Sequence, residues 1–321
     1  MEQEVAHARM KLQDALELFP ADIHHKILPS TRTIALHRTS KTMRTAVEKA
    51  DAVVVSRGGV QFREGEGLLD KLNSLNAWCK VTVLRVNSCG LGEGGGRALA
   101  EILRVNSTVT LLNLELNNVG DGAGQAIAEA LRVNTTVTSL DLGDNELEEG
   151  AGRAIAEALR VNTTMTWLNL ERNELGESGG QAIAEALRVN STLTELNLCR
   201  NNLEEGAGQA IAEALRVNTT MTSLNLGINE LGEGGTQAIA EALRVNSTVT
   251  LLDLGLNQLG EGGGQAIAEA LRVNTTVTSL NLCGNDIGER GVQAIAEALR
   301  VNSTVTSLNL ERNDLHYLHC A

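Results

Sequence analysis

Residues 126–134 read AIAEALRVN, and the same nine letters return unchanged at Ala154, Ala182, Ala210, Ala238, Ala266 and Ala294, always 28 residues on. A looser copy, ALAEILRVN, begins at Ala98. A fixed period of this length is the signature of a solenoid, where one unit cannot bury its apolar face alone and must stack on the next. Within AIAEALRVN the apolar residues fall at helical spacing. In the copy at Ala154, Ile155, Ala158 and Leu159 share one side of a helix. The alanines leave room for neighbouring helices to approach. Asn162 stands where a helix commonly ends in a left-handed residue.

Outward from the helix, each unit opens on a second pattern. Val137 begins VTSLDLGDNEL, with Leu140 and Leu142 alternating with Ser139, Asp141 and Gly143. Alternation with period two marks a short strand with one buried face. Asn145, Leu147 and a Gly-rich stretch then lead back to the helix. One strand and one helix per unit predict a parallel sheet on one side of the stack and helices on the other.

The pattern LxxLxLxxN/CxL resembles the leucine-rich repeat, in particular its 28-residue ribonuclease-inhibitor-like class, from Val81 to Leu315. The resemblance implies an α/β horseshoe with a concave parallel sheet and convex helices. It also implies that the Asn of each unit is buried and satisfies loop backbone groups. Here those residues are Asn117, Asn145, Asn173, Asn201, Asn229, Asn257, Asn285 and Asn313, with Cys89 in the same place in the first full repeat. The physical need is independent of the resemblance, because stacked loops hold backbone groups that water cannot reach. The class includes Ran GTPase-activating proteins and NOD-like receptors, and the resemblance implies a Ran-type GTPase-activating protein as an alternative function.

The expected organisation is a helical segment 1–50, a degenerate capping repeat 51–80, repeats 81–315 (eight full and one truncated) and a tail 316–321. Val53–Val55 read as a strand of the cap, with Trp78 covering its core. Within 1–50, Phe19 and Pro20 with Ile23, Ile27 and Leu28, then Thr39-Ser40-Lys41, resemble a shortened F-box. That resemblance implies a ubiquitin-ligase substrate receptor, with these residues contacting a cullin-ligase adaptor subunit. A plain helical cap accounts for the same spacing, and Met43 stands where the F-box pattern has Trp.

Composition narrows the partner. The net charge of −13 opposes nucleic acid, whose phosphates attract Lys/Arg surfaces, and favours a basic or neutral protein. Five cysteines without CxxC spacing read as reduced thiols, which together with the lack of a signal-peptide core or a long apolar run points to the cytoplasm or nucleus and no membrane. The Asn-x-Ser/Thr sequons read as turns rather than glycosylation sites. GEGGG lacks the Lys-Ser/Thr ending of a phosphate loop and recurs in every unit. His316, His319 and Cys320 make too thin a set for a metal. No cofactor and no catalytic group is expected.

The candidate site is therefore the outward face of the sheet. While helix positions barely change between repeats, strand positions differ: Leu111, Trp167 and Glu195 in one column, Glu171 in a second, and Leu116, Asp144, Arg172, Arg200, Ile228 and Leu256 in a third. Trp and Arg dominate binding hot spots. Aromatic residues make up only 2% of the chain, so Trp167 leads the list. The Asn/Asp column between the buried leucines, from Asn113 to Asn309, reads as structural.

Overall fold

A computed structural model describes residues 82–313 in full and, as backbone, the strands at 33–35 and 52–54. The F-box-like residues Phe19, Pro20, Ile23, Ile27 and Leu28, Trp78 of the capping repeat and the tail histidines lie outside the described residues.

Parallel strands form one sheet in strict sequence order. They are β1 (Thr33–Ala35), β2 (Ala52–Val54), β3 (Val83–Arg85), β4 (Leu111–Asn113), β5 (Ser139–Asp141), β6 (Trp167–Asn169), β7 (Glu195–Asn197), β8 (Ser223–Asn225), β9 (Leu251–Asp253), β10 (Ser279–Asn281) and β11 (Ser307–Asn309). Between them from β3 onward run α1 (Gly92–Val105), α2 (Gly120–Leu131), α3 (Glu149–Leu159), α4 (Gly176–Leu187), α5 (Glu204–Leu215), α6 (Gly232–Leu243), α7 (Gly260–Leu271) and α8 (Gly288–Leu299). From β3 on, register is kept at 28 residues, so that Leu140 pairs with Leu168 and Trp167 with Glu195. Strands in a sheet stand ~4.8 Å apart, whereas packed helices need about 8–10 Å. The helical side is therefore longer, and the stack bends toward the sheet.

The core lies between the layers. Leu140, Leu142, Ile155 and Leu159 are all but inaccessible, as are their equivalents in the inner repeats. A fully buried Leu contributes about 1.5–3 kcal/mol, and each repeat buries several.

Helices begin earlier than the apolar spacing suggests. The Gly-rich stretches form the first helical turn, as in α4, which opens on Gly176-Glu177-Ser178-Gly179-Gly180. Glycine is poor in helices locally, but the neighbouring repeat requires it here. A Cβ on Gly180 would stand 2.7 Å from Ala207 Cβ and 2.8 Å from Leu203 Cδ2.

Asn162 departs from the sequence reading. It does not take a left-handed conformation; the Arg160 before it is α-helical at the C-cap. Instead Asn162 is buried, its Oδ1 accepting from the amides of Thr164 (3.0 Å) and Met165 (2.8 Å). Its Nδ2 donates to the carbonyls of Leu131 (2.8 Å) and Asn134 (3.2 Å) one repeat earlier. The same bonds recur at Asn134, Asn190, Asn218, Asn246, Asn274 and Asn302. A second ladder thus ties helix ends together.

The expected first ladder is present as well. Asn145 Nδ2 donates to the carbonyls of Leu114 and Gly143, both at 2.9 Å, and its Oδ1 accepts from Asn117 N at 3.1 Å. One rung is missing. Asn201 Oδ1 is buried with no hydrogen-bond partner. The break coincides with an altered loop: Glu148 is extended (φ −106°) where most repeats place a left-handed Gly, and Glu174 N bonds Leu147 O instead.

Candidate protein-binding face

Strands of three residues leave only the first and third side chains on the outer face of the sheet. The first column contains Leu111, Trp167, Glu195 and Leu251; Leu111 and Trp167 are half-buried, Glu195 and Leu251 exposed. The third position holds the Asn/Asp column, and its role is local. Each of these residues accepts from the amide two positions on, as Asp141 Oδ1 does from Gly143 N (3.0 Å) and Asn169 Oδ1 from Glu171 N (3.0 Å). Side chains also link along the sheet: Asn169 Nδ2 donates to Asp141 Oδ1 (2.9 Å), and Asn113 Nδ2 to Asp141 Oδ2 (3.0 Å).

Seven candidates do not lie on strands, Glu171 standing two residues past the end of β6. Leu116, Asp144, Arg172, Arg200, Ile228 and Leu256 follow the strand by three residues, in the turn that leaves the sheet. All six have left-handed backbone, with φ between 54° and 60°. Ser88, Gly284 and Arg312 occupy the same slot. The conformation suits Gly, Asn or Asp; for other residues Cβ meets the following carbonyl oxygen, at roughly 1–2 kcal/mol each. Ile228 is β-branched, for which positive φ is a true outlier. Leu116, Ile228 and Leu256 are also 45%, 38% and 48% exposed. This slot forms a ridge along the edge of the sheet, one side chain per strand, apolar after β4, β8 and β9.

Charge is distributed unevenly over this surface. Glu115, Asp141, Asp144 and Glu171 gather around β4 to β6. Burial first, then the charges of Asp141, Glu171 and Asp144, holds the Glu115 carboxyl above the usual range. Burial likewise raises Asp141, opposed by its hydrogen bonds from Gly143 and Asn169. Arg172 turns back to Asp144 (Nε to Oδ2, 3.4 Å) rather than toward Glu195. Glu171 Oε2 accepts from Asn197 Nδ2 (3.1 Å) on the next strand. Cys199 belongs to the buried set. Desolvation first, then Glu171 and Asp253, pushes its thiol up to about 11, so it stays protonated and unreactive.

A cavity found among the described residues lies within the core, lined by Leu142, Ile155, Leu159, Met165 and Leu168. Sequence reasoning found the variable columns but not the left-handed backbone of the third. That column mixes Leu, Ile and Arg with Ser, Asp and Gly, and of these only Asp and Gly are residue types that mark a left-handed turn.

A model of the leucine-rich repeat family matches residues 105–128, 133–156, 161–184, 189–212, 217–240, 245–268 and 273–296. No curated protein matches the chain. Among solved structures, the leucine-rich repeat-containing protein LegL7 from Legionella pneumophila is similar at TM-score 0.54 and 21% identity, over 86% of this chain and 88% of that one. The actin-binding site 2 of leiomodin-1 is similar at TM-score 0.39 and 29% identity, over 46% of this chain and 86% of that one. The tropomodulin C-terminal domain from Caenorhabditis elegans has TM-score 0.41 and 14% identity, over 47% and 92%.

Proposed function

The chain belongs to the leucine-rich repeat family, and from that footing we propose that it is a non-catalytic module that holds a protein partner on the outer face of its sheet. The contact runs from Trp167 and Glu195 to the ridge of Leu116, Asp144, Arg172, Arg200, Ile228 and Leu256. The observation that carries the reading is the left-handed ridge. Leu and Ile there bear backbone strain and solvent exposure together, and the fold gains nothing from either that Asn or Gly would not supply. Left-handed backbone recurs in the loops at Glu146, Glu230 and Gln258 as well, so it is the large apolar side chains held exposed on such backbone that point to function outside the fold. The acidic cluster around Glu115 and Asp141 favours a partner that is basic where it meets β4 to β6, and apolar where it meets Ile228 and Leu256. Opposed charge of this kind speeds encounter and fixes register more than it adds affinity.

Photo-crosslinking residues placed singly at Trp167, Arg200 and Leu256, with a helix-face control at Glu213, test the reading in cells. One protein captured from the three sheet-side positions and absent from the control supports it. Capture from Glu213 alone, or different proteins from the three positions, refutes it. With that partner in hand, Trp167→Ala is expected to weaken binding about 30-fold, the ~2 kcal/mol of a hot spot, with the thermal midpoint unchanged.

A further inference from the structure

The helix ends carry a second surface that the reading above does not use. Val105, Val133, Val161, Val189, Val217, Val245, Val273 and Val301 close the eight helices one after another, each between 52% and 72% exposed. The fold does not require valine there. Neighbouring positions have drifted, with Ser107, Thr135, Thr163 and Ser191 two residues on, and Val109, Met165 and Leu193 four residues on. The valine has stayed valine eight times, as have the Arg before it and the Asn after it; of the three, the valine is the exposed apolar side chain.

Electrostatics sets this edge apart. At the opposite ends of the helices every first turn is acidic, from Glu93 and Asp121 to Glu289. Beside the valines the charges cancel instead: Arg132 pairs with Glu129 (3.3 Å), Arg188 with Glu185 (3.6 Å), Arg216 with Glu213 (3.3 Å) and Arg244 with Glu241 (3.2 Å). For a chain of net charge −13, the valine edge is thus a place where a like-charged copy can approach without meeting the acidic helix starts.

The geometry points to a second copy of this chain as the occupant. A row of eight equally spaced apolar knobs is met along its whole length only by a surface of the same period, and this chain carries one. Stacked edge to edge about a two-fold axis between Val189 and Val217, the copies run antiparallel, with Val189 of one beside Val217 of the other. Such an isologous contact is closed and self-complementary. The valines alone supply roughly half of the ~800 Å² that each partner of a standard interface buries, with the flanking Ser/Thr residues and Arg stems adding the rest, so the dimer is expected in the micromolar range.

Sedimentation velocity on the full chain, from about 1 to 200 µM, tests this. A concentration-dependent monomer–dimer equilibrium is expected. Val189→Lys with Val217→Lys puts four ammonium groups at the axis and should weaken the dimer at least about 100-fold, with an unchanged circular dichroism spectrum; Trp167→Ala should leave it intact. A monomer throughout the range overturns the proposal. So does a dimer that survives the double Lys variant, or one that Trp167→Ala abolishes. Should the double variant misfold, Val189→Ser with Val217→Ser replaces it, with about a tenfold weakening expected and no weakening contradicting the assignment.

Discussion

Ile228 and Thr236 sit eight residues apart and carry the two kinds of cost this chain tolerates. Ile228 is β-branched at φ 58° and partly exposed. Ile228→Asn should raise stability by about 1 kcal/mol in chemical denaturation, since Asn accepts left-handed backbone, and should weaken the partner in the same protein. A stability gain with full binding would mean that the residue is an accident of descent. Thr236 is wholly buried, and its Oγ1 has no partner. Thr236→Val keeps the shape and removes the orphan hydroxyl, for an expected gain of about 1 kcal/mol with binding untouched. Acidity adds a third residue-scale test. Because Glu115 and Asp141 have raised folded-state pKa values, the fold binds their protons more tightly than the unfolded chain. Their ionised forms therefore oppose folding at neutral pH, and that opposition fades as pH falls into the window between the ordinary carboxylate range and the raised values. Asp141→Asn removes the titrating carboxyl and one acceptor of Asn113 and Asn169, so the stability of wild type relative to this variant should rise as pH falls from neutral through that window. The reverse trend would contradict the assigned shifts.

Each repeat stands on ladders that reach 28 residues along the chain. Thr138 Oγ1 donates to Thr110 O (3.2 Å) at the strand entry, Asn145 serves the loop, and Asn162 serves the helix end. Asn145→Ala leaves the buried Asn117 amide without its acceptor and takes one of two donors from each of the Leu114 and Gly143 carbonyls, for an expected loss of about 2–3 kcal/mol by calorimetry. Asn201→Ala should cost less, because its Oδ1 accepts from no donor; equal losses would mean that the missing rung is filled. The period, the buried leucines and the first Asn ladder were legible in the sequence because they repeat with fixed spacing. Asn162 and the Gly-rich helix starts were not. Asn162 bonds Leu131, and Gly180 yields space to Ala207 and Leu203, so the reasons lie one repeat away in space. Local propensity reads only the residue's own turn. The left-handed ridge was hidden for a different reason: Leu116, Ile228 and Leu256 look like ordinary strand-end hydrophobics until their φ angles are known.

Across the whole molecule, stability is close to a sum over repeats and their junctions, so a local defect such as the missing rung at Asn201 is carried by its neighbours. That tolerance leaves the outer face free to differ from strand to strand while the helices stay uniform. The helices present the same acidic first turn and the same Glu and Arg near their ends in every repeat, whereas the sheet side presents a Trp, an acidic cluster and three strained apolar side chains. The central claim is that a protein partner docks on the second of these surfaces. Hydrogen exchange of the chain, alone and saturated with its cross-linked partner, tests it most directly. Protection is expected in the segments running from each strand through its left-handed turn, 139–144, 167–172, 195–200 and 223–228, with α3 to α6 unchanged. Protection confined to the helices, with those four segments exchanging as in the free chain, would contradict it.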